Sequence, residues 1–95
     1  MRRLLPLPLA ALVMAGCGSA NTTPREVFQG ACGNCHTLKA AGTHGDIGPN
    51  LDELKPSIAT VKNQIASGGK GMPSGLVSGP KAEQVAAYVA NSAGK

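Results

Sequence analysis

The sequence predicts an all-α domain with long loops, and three observations carry that prediction. Apolar residues recur at helical spacing in three separate segments after residue 23. Thr23-Pro24-Arg25-Glu26 has the form of a capping box with proline at the first helical position, which marks a helix start. Runs of β-branched residues that alternate with polar ones are missing, so we expect no strand.

The helical segments have their own start and stop signals. Proline or a small hydroxyl residue begins each longer segment, and glycine ends the later two. The predicted helices are Pro24 into 32–36, a short turn over 51–54, 57–67, and 80–93. The connections over 42–49 and 70–79 are rich in glycine and proline. Such long loops are unusual in a small domain unless a ligand organises them.

The segment Cys32-Gly33-Asn34-Cys35-His36 is the most informative part of the chain. Cys-x-x-Cys-His is the attachment sequence of c-type haem, in which each thiol forms a thioether and the histidine binds iron. A thioredoxin-like redox pair needs a βαβ context that is absent, and a zinc site needs four ligands where only His44 remains. We therefore predict one covalently attached haem c, held by Cys32 and Cys35, with His36 as an iron ligand.

A haem iron bound by one histidine has a second axial position to fill. Met72 is the only methionine left once a leader is removed, and it lies in the stiff Gly71-Met72-Pro73 loop. A thioether ligand raises the reduction potential, whereas a methionine that only fills a core gap is poorly placed in such a loop. His44 follows His36 too closely to reach the opposite face, and we expect its ring to bond a backbone carbonyl instead. Met72 is the predicted second ligand.

The N-terminal segment is predicted to be removed. Met1-Arg2-Arg3 and an apolar run to Met14 have signal-peptide character, and the run is shorter than the ~20 residues that cross a bilayer. Ala15-Gly16-Cys17 resembles the end of a bacterial lipobox, in which the cysteine is lipidated, although Met14 stands where leucine is usual; ordinary cleavage nearby is the alternative. The predicted organisation is a lipoprotein signal peptide over 1–16, lipidated Cys17 with a tether over 17–23, and the haem domain over 24–95.

Charge and composition exclude some functions. The net charge of +4 includes Arg2 and Arg3, and the mature chain keeps only about +2. Without a basic cluster and with 2% aromatic residues, nucleic-acid binding has no support. The mature domain has under about 80 residues, with one Phe, one Tyr and no Trp. A domain this small needs an additional stabilising group in its core. A covalent haem provides that apolar body.

Taken together, these residues resemble class I cytochrome c, particularly its small bacterial monohaem members, from Pro24 to Ala93. Phe28 and Tyr88 resemble the aromatic pair where the first and last helices meet in that family. The Pro49 of Gly48-Pro49-Asn50-Leu51 is similar to the proline whose carbonyl accepts a hydrogen bond from the iron-binding histidine, here His36. His44 resembles a loop-bridging histidine, and Gly71-Met72-Pro73 resembles the methionine loop.

The sequence also departs from that family. Many members have glycine where Pro24 stands, and the tryptophan that bonds a haem propionate in some members has no counterpart here. Asn50, Lys55 or Gln64 are candidates to replace it, and the sequence does not choose among them.

The resemblance implies a cytochrome c fold of three to four helices and a single-electron carrier rather than an enzyme. The implied setting is exported and lipid-anchored, on the periplasmic or outer side of a bacterial membrane, in a respiratory or photosynthetic chain. Implied partners are a membrane-bound quinol–cytochrome c reductase as donor and a terminal oxidase or other reductase as acceptor. Independently of the resemblance, we expect Lys39 and Lys70 near the haem edge, where they would guide an acidic partner; ordinary solvated surface is the alternative. The alternatives are a haem-containing subunit of a larger oxidoreductase, or a gas-binding haem sensor if Met72 does not bind iron. The electron-carrier interpretation predicts that Cys32, Cys35, His36 and Met72 converge on one apolar cavity.

Overall fold

Four α-helices and one short hairpin form residues 22–95, the part of the chain that the computed structural model describes. The predicted signal peptide over 1–16 and Cys17 lie outside the described residues. In chain order the elements are α1 (Pro24–Ala31), β1 (Thr37–Leu38), a 3₁₀ turn (Lys39–Ala41), β2 (Thr43–His44), α2 (Leu51–Leu54), α3 (Ile58–Ser67) and α4 (Gly79–Ser92). None of the described helices combines the length and the apolar character that crossing a membrane requires.

Helix α1 begins as its sequence predicts. The Thr23 hydroxyl accepts a hydrogen bond from the Glu26 backbone N–H at 3.2 Å, and the Glu26 carboxylate accepts one from the Thr23 backbone N–H at 2.9 Å. The bonds that the Thr23 backbone N–H and hydroxyl donate to this carboxylate lower the pKa of Glu26, the backbone bond most. After Ala31 the chain continues in turns, because the N–H groups of Cys35 and His36 both donate to the Cys32 carbonyl. The cap therefore fixes the start of the helix that leads into the cysteine motif.

The expectation of no strand is wrong for the segment after the motif. Thr37–Leu38 and Thr43–His44 pair antiparallel, with Thr37 opposite His44 and Leu38 opposite Thr43. The turn between them closes at Gly42, whose φ of 71° lies in the left-handed region that favours glycine. Strands of two residues are too short to show an alternating pattern, which is why the sequence does not reveal them.

The loop-bridging role expected of His44 belongs to its neighbour Thr43. The His44 ring is exposed and makes no hydrogen bond within residues 22–95. The Thr43 hydroxyl instead donates to the His36 carbonyl at 2.9 Å and accepts from the Leu38 N–H at 3.1 Å. Side chains alternate between faces along a strand, so Thr43 faces the motif while His44 faces solvent.

The core lies where α4 packs against α1 and α3. The largest fully buried side chains are Phe28, Leu38, Val85 and Val89. The expected contact between the Phe28 and Tyr88 rings is present, with ring centroids 6.3 Å apart and planes tilted by 54°. The Tyr88 hydroxyl has no hydrogen-bond partner within the described residues. This packing places the motif at the end of α1 beside the middle of α4.

Asp52 joins three parts of the chain through its carboxylate. It accepts hydrogen bonds from the Lys39 backbone N–H at 2.8 Å and from the Gly94 backbone N–H at 2.9 Å. The Asn50 side chain caps the same short helix by accepting from the Asp52 N–H at 2.9 Å. The two backbone bonds lower the pKa of Asp52, the Gly94 bond most. Asp52 thus ties α2 to the 3₁₀ turn and to the end of α4.

We expect Asp52→Asn to lower the free energy of unfolding at neutral pH and to have less effect in acid. A carboxyl whose folded-state pKa is lowered stabilises the fold above its unfolded pKa of about 4, and that stability is lost as the pH falls through the folded pKa. Guanidinium unfolding of the haem-loaded protein at about pH 7 and about pH 3, followed by far-UV circular dichroism, measures the difference.

Glu53→Gln is the matched control, because it removes the same charge from the same helix. Its carboxylate makes no hydrogen bond or ion pair within residues 22–95. An equal loss of stability in Glu53→Gln, or an Asp52→Asn effect that does not decrease in acid, would contradict the role given to Asp52.

Candidate haem site

All four residues predicted to bind haem line one largely apolar cavity of about 350 Å³. Cys32, Cys35, His36 and Met72 line it together. Every α-helix contributes an apolar side chain to the wall, such as Phe28 from α1, Leu51 from α2, Ile65 from α3 and Val89 from α4. The expected convergence is therefore present in the fold. The binding of haem iron by His36 and Met72 stays a prediction.

His36 is oriented by the carbonyl of Pro49. The His36 Nδ1 atom lies 2.8 Å from that oxygen. A carbonyl oxygen only accepts hydrogen bonds, so Nδ1 carries the proton and donates it. The lone pair of the imidazole is then on Nε2, the nitrogen left free to bind a metal. The contact expected from the family resemblance is present, and it prepares His36 chemically for a role as an axial ligand.

The loop that contains Gly45 and Gly48 packs against the backbone of the haem motif. The Gly48 N–H donates to the Cys35 carbonyl at 2.7 Å, and the Thr37 hydroxyl donates to the Gly45 carbonyl at 2.8 Å. A Cβ at Gly45 would lie 2.6 Å from the carbonyl carbon of Cys35, so the loop backbone rests directly on the motif. Sequence reasoning treated these glycines only as loop breakers, and their close contacts depend on the tertiary fold.

The two cysteines lie on the cavity wall with different exposure. Cys32 is 8% exposed, whereas Cys35 is partly buried, and both are free thiols. Burial, and to a lesser extent the neighbouring Cys35, raises the pKa of the Cys32 thiol to about 11. Before any attachment reaction the Cys32 thiol is therefore protonated at neutral pH. A thioether removes the ionisable group altogether.

Met72 is presented by a closed turn at the end of α3. The Gly69 N–H donates to the Met72 carbonyl at 2.8 Å, and the Met72 N–H donates to the Gly69 carbonyl at 3.0 Å. The Gly75 N–H donates to the Ile65 carbonyl at 2.8 Å, which fixes the far end of the loop on α3. Gly68 has φ of 65°, and a Cβ there would lie 2.6 Å from the Met72 carbonyl oxygen. The loop thus holds Met72 at the cavity through its backbone.

Large apolar side chains are left exposed around this cavity. Ile47 is 79% exposed, Leu54 56% and Leu76 44%, and all three line the cavity. Exposed apolar side chains gathered at one cavity indicate a surface that binds an apolar body. The lining, two thiols, an imidazole with a free Nε2 and a thioether together fit a covalently bound haem.

The structure narrows the candidates for contact with the haem propionates. Gln64 lines the cavity, whereas Asn50 and Lys55 do not. The Asn50 side chain caps α2, and a Cβ at Gly94 would lie 2.6 Å from the Lys55 Cε, so the Lys55 side chain runs along the end of the chain. Of the two lysines expected near the haem edge, Lys70 lines the cavity and Lys39 does not.

Residues 19–89 match the family model described as cytochrome c oxidase, cbb3-type, subunit III. The chain belongs to the cytochrome c family. This cytochrome is 38% identical over 72 residues to cytochrome c-550 of Bacillus subtilis (strain 168). The match covers 74% of this chain and 58% of that protein, so the chain spans little more than half of its relative's length.

A solved structure confirms the fold. The crystal structure of the c-type cytochrome SorU from Sinorhizobium meliloti has a TM-score of 0.70 to this cytochrome at 40% sequence identity. The likeness covers 76% of this chain and 88% of that one. The predicted helical cytochrome c fold is therefore confirmed, and residues 22–95 also contain a small hairpin that the sequence did not reveal. Membership of the family implies one covalently bound haem c and haem-based electron transfer.

We expect Met72→Ala to lower the reduction potential of this cytochrome by roughly 0.1 V, a small part of the range of about 0.8 V over which axial ligands set haem potentials. If Met72 binds iron as predicted, the loss of its thioether would remove a soft ligand that favours ferrous iron and would open a coordination position. Potentiometric titration of the haem-loaded variant measures the potential, and added imidazole or cyanide reports the open position.

Leu76→Ala is the control, because Leu76 lines the same cavity and has no atom that binds iron. It should keep the wild-type response to added ligands. A Met72→Ala potential equal to that of Leu76→Ala would remove Met72 from the iron site.

Proposed function

We propose that this cytochrome carries single electrons between membrane-bound redox proteins and catalyses no reaction of its own. The observation that carries the proposal is the shared cavity of His36, Met72 and the two attachment cysteines. An iron with both axial positions filled by protein has no position left for a substrate. Such a centre changes oxidation state only, which is what an electron carrier needs.

The protein supplies a largely apolar cavity and backbone contacts to both proposed ligands for this reaction. When bound, haem c supplies reversible one-electron oxidation and reduction at its iron. The Pro49 carbonyl holds His36 in one tautomer, and the paired backbone bonds between Gly69 and Met72 hold the methionine loop. Apolar side chains from four helices line the cavity, which favours the exclusion of water where haem fills it. Neither ligand has to move, so little reorganisation accompanies electron transfer.

The mouth of the cavity is the surface proposed to meet redox partners. Ile47, Leu54 and Leu76 are exposed there, and Lys70 adds a positive charge. A small apolar area beside a cation suits brief contact with an acidic partner, since charge complementarity raises association rates more than affinity. The proposed donor is a quinol–cytochrome c reductase, and the proposed acceptor is a terminal oxidase or another reductase.

A lipid anchor at Cys17 would keep the carrier beside such partners. Cys17 follows an apolar leader and small residues, as the cysteine of a lipobox does, and it is the one cysteine of the chain outside the haem motif. Tethering raises the effective concentration of a carrier near membrane-bound partners without any new contact. The proposed location is the periplasmic or outer side of a bacterial membrane.

A second candidate function is that of a haem subunit held in a larger oxidoreductase. The matching family model is described as an oxidase subunit, which favours this reading. Ile58 on α3 is 43% exposed and does not line the cavity, so the apolar surface extends beyond the cavity mouth. Mild detergent extraction followed by gel filtration separates the two functions, because a carrier elutes alone and a subunit elutes with its complex.

We expect the native haem-loaded protein not to bind carbon monoxide. The visible spectrum of the oxidised form should contain a sulfur-to-iron charge-transfer band, and carbon monoxide added to the reduced form should leave the spectrum unchanged, because Met72 fills the sixth position. Met72→Ala serves as the positive control, since it should bind carbon monoxide at once. Prompt binding in the wild type would favour the gas-binding alternative and overturn the closed site.

We expect Cys17→Ser to abolish lipid attachment. Cells grown with labelled fatty acid should yield labelled wild-type protein whose N-terminal residue is the modified Cys17, as mass spectrometry of the first peptide shows. Gly18→Ser introduces the same residue one position later and should keep the label. A wild-type protein without lipid, or one that begins at another residue, would contradict the anchor.

A further inference from the structure

Gly48 lies against the imidazole ring of His36. A Cβ built on Gly48 would lie 2.5 Å from Cε1, 2.9 Å from Nδ1 and 3.1 Å from Nε2 of that ring. Real Cβ atoms essentially never come within 3.0 Å of another heavy atom in this way. The three atoms form the outer edge of the ring and include both nitrogens. Any side chain at position 48 therefore displaces His36 or the loop that carries Gly48.

Position 48 requires glycine because there is no room for a side chain, and not because of its backbone dihedral angles. Gly48 is absent from the glycines with positive φ, which include Gly42 and Gly68. An L-residue can adopt its backbone dihedral angles without the strain of the left-handed region. The contact with His36 is thus the feature of Gly48 that excludes a side chain.

The backbone on both sides of Gly48 is held in place. Its N–H donates to the Cys35 carbonyl at 2.7 Å, which ties it to the residue before His36. The next residue, Pro49, has a restricted φ and accepts the Nδ1 proton of His36 at 2.8 Å. Two consecutive residues therefore lie against one ring, Pro49 at Nδ1 and Gly48 nearest Cε1. A hydrogen bond to Nδ1 alone leaves the ring free to turn about that bond, whereas the backbone of Gly48 leaves little room beside Cε1.

We propose that Gly48 is a positioning residue that sets the rotation of the His36 ring plane at the haem iron. The proposal rests on the binding of iron by His36, as in the proposed function. Neighbours of a metal-binding histidine fix its ring orientation and thereby tune the metal. The direction of the imidazole plane decides how its π orbitals overlap with those of iron, so it affects the magnetic axes of ferric haem and its reduction potential.

The test compares haem-loaded wild type, Gly48→Ala and the control Gly30→Ala. Gly30 lies in α1 with open space where a Cβ would be added. Electron paramagnetic resonance g values and the shifted proton resonances of the haem methyl groups report the orientation of the axial ligand planes. We expect Gly48→Ala to change the order or spread of the methyl shifts and to move the midpoint potential, while Gly30→Ala matches wild type. Methyl shifts and g values of Gly48→Ala identical to those of wild type would overturn the proposal.

The same samples separate this inference from the proposed function. Wild-type spectra that lack signals of a histidine ligand would defeat His36 ligation itself. Histidine signals in wild type together with unchanged Gly48→Ala spectra would defeat only the positioning role. If Gly48→Ala yields no haem-loaded protein, the proposal is tested instead by nuclear magnetic resonance of the ferrous wild-type protein. A nuclear Overhauser effect between the Gly48 α-protons and the His36 Hε1 supports the contact, and its absence overturns the proposal.

Discussion

All four helices of the described chain place apolar side chains in one cavity, and this shared apolar surface determines how the elements are arranged. The protein core beside it is small, with Phe28, Leu38, Val85 and Val89 as its largest fully buried side chains. Helices of these lengths are marginal in isolation and depend on tertiary packing. Covalently bound haem c, a flat and largely apolar group, completes a core that the chain alone does not fill.

Helices and loops contribute differently to this cavity. The helices supply apolar walls, and the loops hold the two proposed iron ligands by backbone contacts. The Pro49 carbonyl and the Gly48 backbone contact His36, while the Gly69 bonds and the Gly68 contact fix the chain at Met72. Backbone groups supported by bonds at both loop ends move less than long side chains do. This arrangement explains how loops rich in glycine can hold ligands in a constant geometry.

The proteins that this cytochrome resembles differ in length and in how they are described. The chain is similar to a small c-type cytochrome over most of both chains, but it spans only 58% of cytochrome c-550. Its family model is described as an oxidase subunit. Fold and cofactor alone do not distinguish an electron carrier from a subunit of a larger enzyme, so the exposed surface is the feature to compare. The exposed residues Ile47, Leu76 and Lys70 at the cavity mouth are the part of this surface nearest the cofactor.

The sequence by itself determined the features that are encoded in a few neighbouring residues. The capping box at Thr23, the stop of α3 before Gly68 and the haem motif at Cys32 depend on local spacing, and local spacing is visible in one chain. The family resemblance added the bond between His36 and Pro49, which lie in separate segments.

Only the tertiary structure decided which distant groups meet. Strands of two residues have no period to detect, so the hairpin and the choice of Thr43 over His44 were hidden. Asp52 binds backbone N–H groups, which every residue type except proline carries and which therefore leave no trace in sequence. The contact of Gly48 with the His36 ring depends likewise on a distance through space, which composition and spacing do not record.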